Sequence, residues 1–311
     1  MQFLFSLQPA MLARVWFSSS RFILKVLQRF SALPAVDGNG VNIHRIADFD
    51  QLRFDPYLMI DEIKSDDQQD FIGGFPPHPH RGVETFTYIR QGGFEHRDQL
   101  GNVKAIRAGD VQWMSTGSGI VHSEMPLADA KEGLHGFQIW LNMPAKDKMR
   151  PAIYQDTSEQ ANPSMENEHG ANLKALAGNW GFSYNPLMLS ATIQGLAGHG
   201  AIADLTLAEY GFATLNLAGH QTVCAYIYSG ELHYVNAQGL REIAGAGQML
   251  VLDPHDISHF QTEATGAGLL LLVGNPINEA IVQMGPFVMN TQAEIDQAVR
   301  DYQQGRFGKI R

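Results

Sequence analysis

Short apolar stretches separated by turn residues run along most of the chain. In the first half they are Tyr57–Ile60, Glu84–Arg90, Val103–Ile106, Val111–Met114 and Phe137–Leu141. The sequences between them include Asp-Pro, Gly-Gly and Gly-Asn, which favour tight turns. Strands that recur about every 8–12 residues with such turns are typical of an all-β barrel or sandwich. The pattern therefore predicts β-structure throughout the first half.

The second half repeats this rhythm. Its strand-like stretches are Leu205–Leu207, Phe212–Leu217, Val223–Tyr228, Glu231–Val235, Gln248–Leu252 and Gly268–Val273. Turns that contain glycine separate them, as in the first half. The repetition predicts an all-β protein with two related barrels in tandem.

A short helix is predicted at the end of the chain. Thr291-Gln292-Ala293-Glu294 has the pattern of a capping box, in which the first and last side chains each bond to the other's backbone N–H. The apolar residues that follow at helical spacing are Ile295, Ala298, Val299 and Tyr302. Gly305 can end the helix, because glycine accepts the backbone conformation that commonly terminates one.

The domain boundaries are expected where the composition changes. Residues 31–144 are predicted to form an N-terminal barrel, and residues 173–311 a C-terminal barrel that carries the closing helix. Residues 145–172 between them are polar and contain Pro151 and Pro163. We therefore expect this stretch to be the linker between the two domains.

The first 30 residues form a basic extension without a single acidic residue. Its positive charges are Arg14, Arg21, Lys25 and Arg29. A basic, serine-containing start resembles an organelle transit peptide, and the alternatives are an amphipathic extension or a start codon placed too early. Because Arg14 interrupts the apolar run, no stretch of the extension is long enough to span a bilayer.

Charge and cysteine content exclude several classes of function. The 311 residues suffice for two domains, and 32 acidic against 22 basic side chains give a formal charge of −10. Such a surface repels phosphate backbones, so direct nucleic-acid binding is not expected. A single cysteine, Cys224, excludes an intrachain disulfide framework and a metal site built from several thiolates. It is compatible with a reducing compartment, so we expect a cytoplasmic protein and leave nuclear and organellar locations open.

Two pairs of potential metal ligands share the same spacing. His78 and His80 flank Pro79, which favours an extended backbone, and side chains two apart on an extended chain project from one face. His122 and Glu124 have the same spacing. If the fold brings the pairs together, three neutral imidazoles and a carboxylate suit a divalent transition metal. Iron(II) and manganese are as credible as zinc on this basis, and nickel, cobalt or copper are possible substitutes.

The chain resembles the pirin family, a branch of the cupin superfamily, from roughly residue 54 to residue 308. The resemblance lies in long strings that occur in the family's order. They are Phe75-Pro-Pro-His78-Pro-His80-Arg-Gly-Val-Glu84-Thr, Ala108-Gly-Asp-Val-Gln-Trp113-Met-Ser-Thr-Gly-Ser-Gly-Ile-Val-His122-Ser-Glu124-Met-Pro, Phe137-Gln-Ile-Trp140-Leu-Asn-Met-Pro144, Gly274-Asn-Pro-Ile-Asn-Glu279, Gly285-Pro-Phe-Val-Met-Asn290 and Asp301-Tyr-Gln-Gln-Gly-Arg-Phe-Gly308. The resemblance implies two tandem cupin barrels (double-stranded β-helices) with one metal ion, usually iron, in the N-terminal barrel.

The resemblance also implies which residues hold the metal. The family's ligands fall on His78, His80, His122 and Glu124, and all four are present. The general cupin pattern instead places the carboxylate four residues after the second histidine, which is Glu84 here. In pirins that position is generally not a ligand, so we expect Glu84 either to orient a ligand imidazole or to form an ion pair with Arg81 or another nearby base.

Other residues of the first half are weaker candidates. His96, Arg97 and Asp98 precede Gly-Asn and are read as a solvated hairpin turn, although His96 could reach the mouth of the barrel. His135 is expected either near a ligand or at the edge of the barrel. Trp113 and Met114 are expected either to line the pocket or to belong to the hydrophobic core.

The second half offers one further histidine pair, His255 and His259. A spacing of four residues makes a ligand pair only on a helix, and this stretch reads as a turn that enters a strand. We therefore expect no metal there, which agrees with what the resemblance implies for the C-terminal barrel.

Two classes of function follow from the resemblance. The first is an iron-dependent quercetin 2,3-dioxygenase, which cleaves a flavonol or a related small aromatic with O₂ and uses Glu124 as a transient base. The alternative is a non-enzymatic, iron-dependent regulator that binds a transcription factor or a metabolic enzyme. The acidic charge suits a basic protein partner better than DNA. A structural protein with a vestigial site is disfavoured, because the ligand set is intact.

Overall fold

The computed structural model describes residues 24–49, 52–255 and 257–310. Within these ranges the chain is mostly β-strand and contains one α-helix. The strands of the first half are β1 (Lys25–Ser31), β2 (Leu33–Asp37), β3 (Val41–Ala47), β4 (Tyr57–Ser65), β5 (Phe75–His80), β6 (Val83–Gln91), β7 (Gly93–Asp98), β8 (Val103–Arg107), β9 (Val111–Ser115), β10 (Ile120–Pro126), β11 (Leu134–Asn142) and β12 (Ile153–Asp156).

The second half continues in the same way and ends in helix α1 (Gln292–Gln303). Its strands are β13 (Ser164–Glu166), β14 (Ala171–Ala177), β15 (Asn179–Trp180), β16 (Leu189–Ser190), β17 (Ala201–Leu207), β18 (Phe212–Leu215), β19 (Thr222–Asn236), β20 (Arg241–Gly245), β21 (Gln248–Leu252), β22 (Ser258–Gln261), β23 (Ala267–Gly274), β24 (Val282–Met284) and β25 (Phe287–Met289). No helix in the described ranges combines the length and the apolar character that a membrane crossing requires.

Two sheets form the first half of the described chain. The N-terminal sheet has the strand order β12-β9-β6-β11-β4-β3-β2, and a smaller four-stranded sheet has the order β5-β10-β7-β8. Buried residues from both sheets share one core, among them Ile63 and Ile89 of the N-terminal sheet and Phe94 and Ile106 of the smaller sheet. The space between these two sheets holds the predicted ligands.

One large sheet dominates the second half. This C-terminal sheet has the order β1-β21-β19-β23-β17-β14-β13, with β20 attached to β19. Its strands are long apolar runs, and every residue of β23 is buried. A strand that is buried along its whole length packs on both of its faces, so the sheet has a core on either side.

The two large sheets pack against each other through a shared core. Its members include Phe86, Trp113 and Phe137 of the N-terminal sheet and Ile202, Tyr226 and Leu270 of the C-terminal sheet. The hydroxyl of Tyr57 also crosses this interface and donates a 2.8 Å hydrogen bond to the carbonyl of Val273. Because the core is continuous, the two halves are held as one packed unit rather than as two loosely linked domains.

Three expected boundaries differ in the structure. Residues 25–30, assigned to the basic extension, belong to β1, which pairs with β21 of the C-terminal sheet and is held there by buried Leu24 and Val26. The expected linker is also part of both halves: β12 pairs with β9, and β13 pairs with β14. Residues 1–23 of the extension lie outside the described residues.

The final segment returns to the first half of the chain. Helix α1 and the hairpin β24–β25 pack on β10, through Val121, Phe287, Ile295, Ala298 and Phe307. The predicted capping box is confirmed: Thr291 Oγ1 accepts a 3.3 Å hydrogen bond from the N–H of Glu294, whose carboxylate accepts one of 2.9 Å from the N–H of Thr291. The closing helix was expected on the C-terminal domain, but its apolar face is buried against the N-terminal one.

Two strands that were predicted separately in the second half form a single strand in the structure. Val223–Tyr228 and Glu231–Val235 belong to the single long strand β19. The intervening Ser-Gly was read as a turn, but the chain forms a local irregularity in the pairing with β23 and continues. Gly230 has a φ of +70° there, a conformation that glycine adopts without strain.

Candidate metal centre

Three histidines meet between the two sheets of the first half. His78 and His80 lie on β5, and His122 lies on the antiparallel neighbour β10, directly opposite His78. The ring centroids are 4.3 Å apart for His78 and His122, 5.0 Å for His80 and His122, and 4.8 Å for His78 and His80. One nitrogen from each ring lies within 4.8 Å of the other two. This spacing is suitable for three ligands around a single ion.

A hydrogen bond from its outer nitrogen fixes the tautomer of His78. His78 Nδ1 lies 2.8 Å from the carbonyl oxygen of Pro76. A carbonyl can only accept, so this nitrogen carries the proton. Nε2 of His78 is left with a free lone pair, which is the form that binds a metal.

The buried nitrogens of this cluster fit a bound cation. Within the described residues, Nδ1 of His80 and both ring nitrogens of His122 are buried without a hydrogen-bond partner. Burial lowers the pKa of His80 and His122 well below the usual range, and the neighbouring imidazoles lower it further. Neutral rings with unpaired buried nitrogens are costly unless something accepts their lone pairs. A divalent transition metal would satisfy them, so the residues present fit the predicted ion.

The carboxylate of Glu124 lies beside this cluster but is held by other side chains. Its Oε1 accepts a 3.3 Å hydrogen bond from Gln112 and lies 3.1 Å from the hydroxyl of Thr87, while Oε2 accepts one of 3.0 Å from Gln138. In distance it groups with His122 and with His96 rather than with His78 and His80. The structure thus unites the three predicted histidines and places Glu124 next to one of them. The full set of four ligands stays a prediction.

His96 does not lie in a solvated turn, and that interpretation was wrong. It lies on β7, opposite Glu124 on β10, and its side chain is fully buried. Its neighbour Arg97 points outwards and pairs with Glu95. The sequence held a signal for this placement, because His96 and Asp98 are two apart, as are His78 and His80. The following Gly-Asn favours a turn, and the turn was therefore predicted at residues that belong to β7.

Glu84 faces away from the histidines and orients none of them, but the expected ion pair with a nearby base is present, with Arg150 in place of Arg81. Its carboxylate accepts hydrogen bonds of 2.9 Å from the N–H of Ala197 and 3.3 Å from Trp113, and it lies 3.5 Å from Arg150. Burial raises the pKa of Glu84 to about 7. Arg81 pairs instead with Asp301, at 2.8 Å. Glu84 therefore belongs to the interface between the two halves.

His135 and Trp113 also belong to that interface. His135 Nε2 lies 2.8 Å from Glu62, and the ring packs edge-on against Tyr228 of the C-terminal sheet. Trp113 is part of the shared core, and Met114 is fully buried. These side chains therefore support the packing of the two sheets.

The second histidine pair is split between two environments. His255 lies in an exposed turn. His259 is buried on β22, 3.1 Å from the hydroxyl of Thr214, with its ring stacked on Phe212. The turn-into-strand reading of this stretch is confirmed.

A cavity of about 870 Å³ opens beside His78, His80 and Glu124. Aromatic and aliphatic side chains form much of its wall, namely Phe49, Met59, Ile63, Phe75 and Trp140. The ring of Trp140 is 4.8 Å from that of His80 and perpendicular to it. A cavity of this size that combines an apolar wall with polar groups is suited to a small organic molecule.

Charged side chains line one side of this cavity. Arg45 forms a two-pronged pair with Asp61, with both distances 2.9 Å, and lies 3.0 Å from Asp37 and 3.8 Å from Asp48. Burial raises the pKa of Asp61, although Arg45 opposes this effect. One guanidinium therefore faces three carboxylates, which disfavours an anionic ligand at this rim.

The hairpin β24–β25 closes another side of the cavity, through Gln283, Gly285 and Pro286. It is anchored beside the His-Pro-His motif, because the N–H of Val288 donates to the carbonyl of Arg81 at 3.0 Å. Buried Lys148 donates 2.8 Å hydrogen bonds to the carbonyls of Gly82 and Val288. Burial lowers the pKa of Lys148 to about 8. The end of the chain thus contributes directly to the site.

Two family models match the chain: Pirin over residues 41–141 and the Pirin C-terminal cupin domain over residues 202–308. A Vibrio cholerae protein that carries the provisional name quercetin 2,3-dioxygenase is 42% identical over 283 residues, which cover 91% of this chain and 97% of that protein. Pirin-1 of Arabidopsis thaliana is 35% identical, over 91% of this chain and 94% of its own length.

Solved structures agree with these matches. The crystal structure of a quercetin 2,3-dioxygenase from Acinetobacter baumannii superposes with a TM-score of 0.78 at 29% identity, over 93% of this chain and 100% of that one. The Escherichia coli pirin YhhW, solved in complex with nickel(II), has a TM-score of 0.56 at 20% identity, over 80% of this chain and 100% of its own. The fold is therefore cupin-like in both halves.

Proposed function

Because this chain belongs to the pirin family, we propose that it is a metal-dependent dioxygenase of the quercetin 2,3-dioxygenase type. Its substrate class is a flavonol or a related small aromatic, which it cleaves with O₂. The observation that carries the proposal is the cluster of His78, His80 and His122 beside a cavity of about 870 Å³ with an aromatic and aliphatic wall. Relatives and a structural neighbour that bear the name of this enzyme support it.

The donor atoms of the cluster support iron(II) as the resident ion. Imidazole nitrogens with one nearby carboxylate suit iron, manganese, nickel or zinc, whereas thiolate sites need cysteine. The one cysteine, Cys224, is buried in the shared core, where burial raises its pKa to about 12. When bound, a redox-active divalent ion supplies Lewis acidity and electron transfer to dioxygen.

The protein's own residues bind the substrate and move its proton. Phe49, Phe75 and Trp140 present aromatic faces and edges to a planar ligand. Glu124 lines the same cavity and is the proposed base for the substrate hydroxyl. Gln138 donates a hydrogen bond to its Oε2 and holds that oxygen in place.

Oxygen uptake by the iron(II)-loaded protein with a panel of flavonols tests the proposal. We expect uptake and release of carbon monoxide with at least one flavonol, and loss of both in His122→Ala. The exposed His255→Ala is the matched control and should retain both. A fully iron-loaded protein that consumes no oxygen with any flavonol would refute the dioxygenase and leave the non-enzymatic regulator as the remaining interpretation.

A further inference from the structure

His96 has the environment of a metal ligand, although neither the family motif nor the spacing of the predicted pairs includes it. Its side chain is completely buried, and its ring centroid is 5.5 Å from that of His122. Ligand atoms of His96, His122 and Glu124 all lie within 4.8 Å of one another. Within the described part of the chain, Nδ1 of His96 has no hydrogen-bond partner.

Asp98 determines which nitrogen of His96 carries the proton. Oδ1 of Asp98 accepts hydrogen bonds from the backbone N–H groups of Leu100, at 2.9 Å, and Asn102, at 3.1 Å. Its Oδ2 accepts one of 2.7 Å from the side-chain amide of Asn102 and lies 3.1 Å from Nε2 of His96. A carboxylate surrounded by donors is itself an acceptor, so Nε2 must donate. Nδ1 is then the nitrogen with the free lone pair.

Packing holds this ring in place. His96 stacks on Tyr154, with the centroids 4.8 Å apart and the planes 24° from parallel. A carboxylate that fixes one imidazole nitrogen while the other is left free is the arrangement that supports metal-bound histidines.

A second buried histidine of this chain gives the contrast. His135 is also paired with a carboxylate, Glu62, at 2.8 Å. Its Nδ1, however, lies 3.5 Å from a guanidinium nitrogen of Arg90, so both of its nitrogens have a neighbour. His96 differs because its second nitrogen faces other potential ligands instead of a donor. Burial of an unpaired nitrogen is costly, and a ligand bound to it would remove that cost.

We propose that Nδ1 of His96 binds the same metal ion as His122 and Glu124, an inference that rests on the metal centre of the proposed function. The centre then draws on five side chains: His78, His80, His96, His122 and Glu124. Asp98 is a positioning residue, since it acts on the metal only through the tautomer of His96.

Nuclear magnetic resonance of the histidine ring nitrogens tests the inference directly. The full-length protein, labelled with ¹⁵N-histidine, is titrated with Zn(II) as a diamagnetic probe. Before metal is added, we expect Nδ1 of His96 to give the signal of an unprotonated nitrogen. With metal, we expect this signal to move to the range of a metal-bound nitrogen, together with one ring nitrogen each of His78, His80 and His122.

The outcomes separate this inference from the proposed function. Movement of the other three rings without His96 would overturn the inference and keep the metal centre. No movement of any ring would overturn both. Movement of all four in a protein that oxidises no flavonol would support the inference and refute the dioxygenase.

The isosteric Asp98→Asn gives a second test. The two backbone N–H groups hold the amide oxygen at the Oδ1 position, so the amide nitrogen faces Nε2 of His96 and donates to it. The proton must then sit on Nδ1, which can no longer bind a metal. We expect the Zn(II) dissociation constant to rise by about 10- to 100-fold.

Glu62→Gln is the matched control for this variant, because it alters the other buried histidine–carboxylate pair and lies outside the cluster. It should keep the wild-type dissociation constant. Equal affinity in Asp98→Asn and wild type, with both proteins folded by circular dichroism, would overturn the proposal.

Discussion

The N–H of Val288 donates a 3.0 Å hydrogen bond to the carbonyl of Arg81, so a hairpin near the end of the chain is attached directly beside His80. The next residue, Gly82, approaches the carbonyl of Val288 so closely that an added Cβ would lie 2.1 Å from it. The motif His-Pro-His-Arg-Gly is therefore both a source of ligands and the attachment point of the hairpin.

Gly82→Ala should weaken metal binding without touching a ligand. The new methyl group would push Val288 away and displace the hairpin, which is attached beside His80 and lines the same cavity. Since the contacts around a ligand histidine set its orientation, we expect a loss of about 10- to 100-fold in metal affinity. Isothermal titration with Mn(II) measures it.

Gly109→Ala is the matched control for this variant. Gly109 also has a positive φ, of +95°, but an added Cβ would meet nothing within 4 Å. Gly109→Ala therefore strains the backbone as Gly82→Ala does, but it does not displace the hairpin. Equal losses of affinity in the two variants would show that strain, rather than the hairpin, weakens the site.

His122→Ala should abolish the stabilisation that metal gives to the fold. A ligand that binds only the native state raises the free energy of unfolding by about 2.7 kcal/mol at a hundredfold excess over its dissociation constant. We expect such a rise in wild type and in His255→Ala, and none in His122→Ala. Urea unfolding with and without Mn(II) measures it. A normal rise in His122→Ala would place the ion elsewhere.

Glu124→Gln should lower the turnover number by about 10²- to 10⁴-fold, because an amide cannot take the proton of the substrate hydroxyl. Steady-state oxygen uptake at saturating iron(II) and flavonol measures this. Glu84→Gln alters the carboxylate that the general cupin pattern would favour, and it should leave the turnover number unchanged, since Glu84 faces Ala197 and Trp113. A larger effect at Glu84 than at Glu124 would reverse the assignment.

The buried Glu84 should make the stability of the protein depend on pH. Burial raises its pKa from 4.5 to about 7, so the folded state binds more protons than the unfolded state between these values. The contribution of Glu84 to the free energy of unfolding is fully present below pH 4.5 and is lost as the pH rises to about 7. A shift of this size corresponds to roughly 3 kcal/mol.

Comparison of wild type with Glu84→Gln isolates this contribution. The free energy of unfolding should fall by that amount in wild type between pH 4.5 and pH 8, relative to the variant. Guanidinium unfolding at several pH values measures the difference. Parallel pH profiles for the two proteins would mean that Glu84 is ionised in both states at neutral pH.

Much of the local structure was readable because it depends on neighbours in the sequence. Alternating apolar residues placed β6, β9 and β11 within a few residues of their ends, and the capping box placed the start of α1. The same period of two predicted that His78 and His80 share a face, and that they could meet His122. The three histidines were therefore candidate metal ligands before any tertiary contact was known.

Other features depend on which of the two faces of a strand points into the core. The alternation of side chains along a strand does not reveal which face this is. Glu84 and Thr87 lie on the same strand, yet Glu84 faces the shared core and Thr87 lies beside Glu124. His96 was misread because a following Gly-Asn resembled a turn, while its burial depends on β10 lying next to β7. Only packing against distant strands decides such questions.

The sequence by itself determined the β-rich fold, the closing helix and the three histidines, because each follows from the spacing of residues close together along the chain. The tertiary structure decided the rest. It added β1 to the C-terminal sheet, turned Glu84 away from the ligands, buried His96 beside Glu124 and attached the hairpin β24–β25 beside His80. These contacts join residues that are far apart in the chain, and their free energy comes from burial and hydrogen bonding that exist only once the sheets have packed.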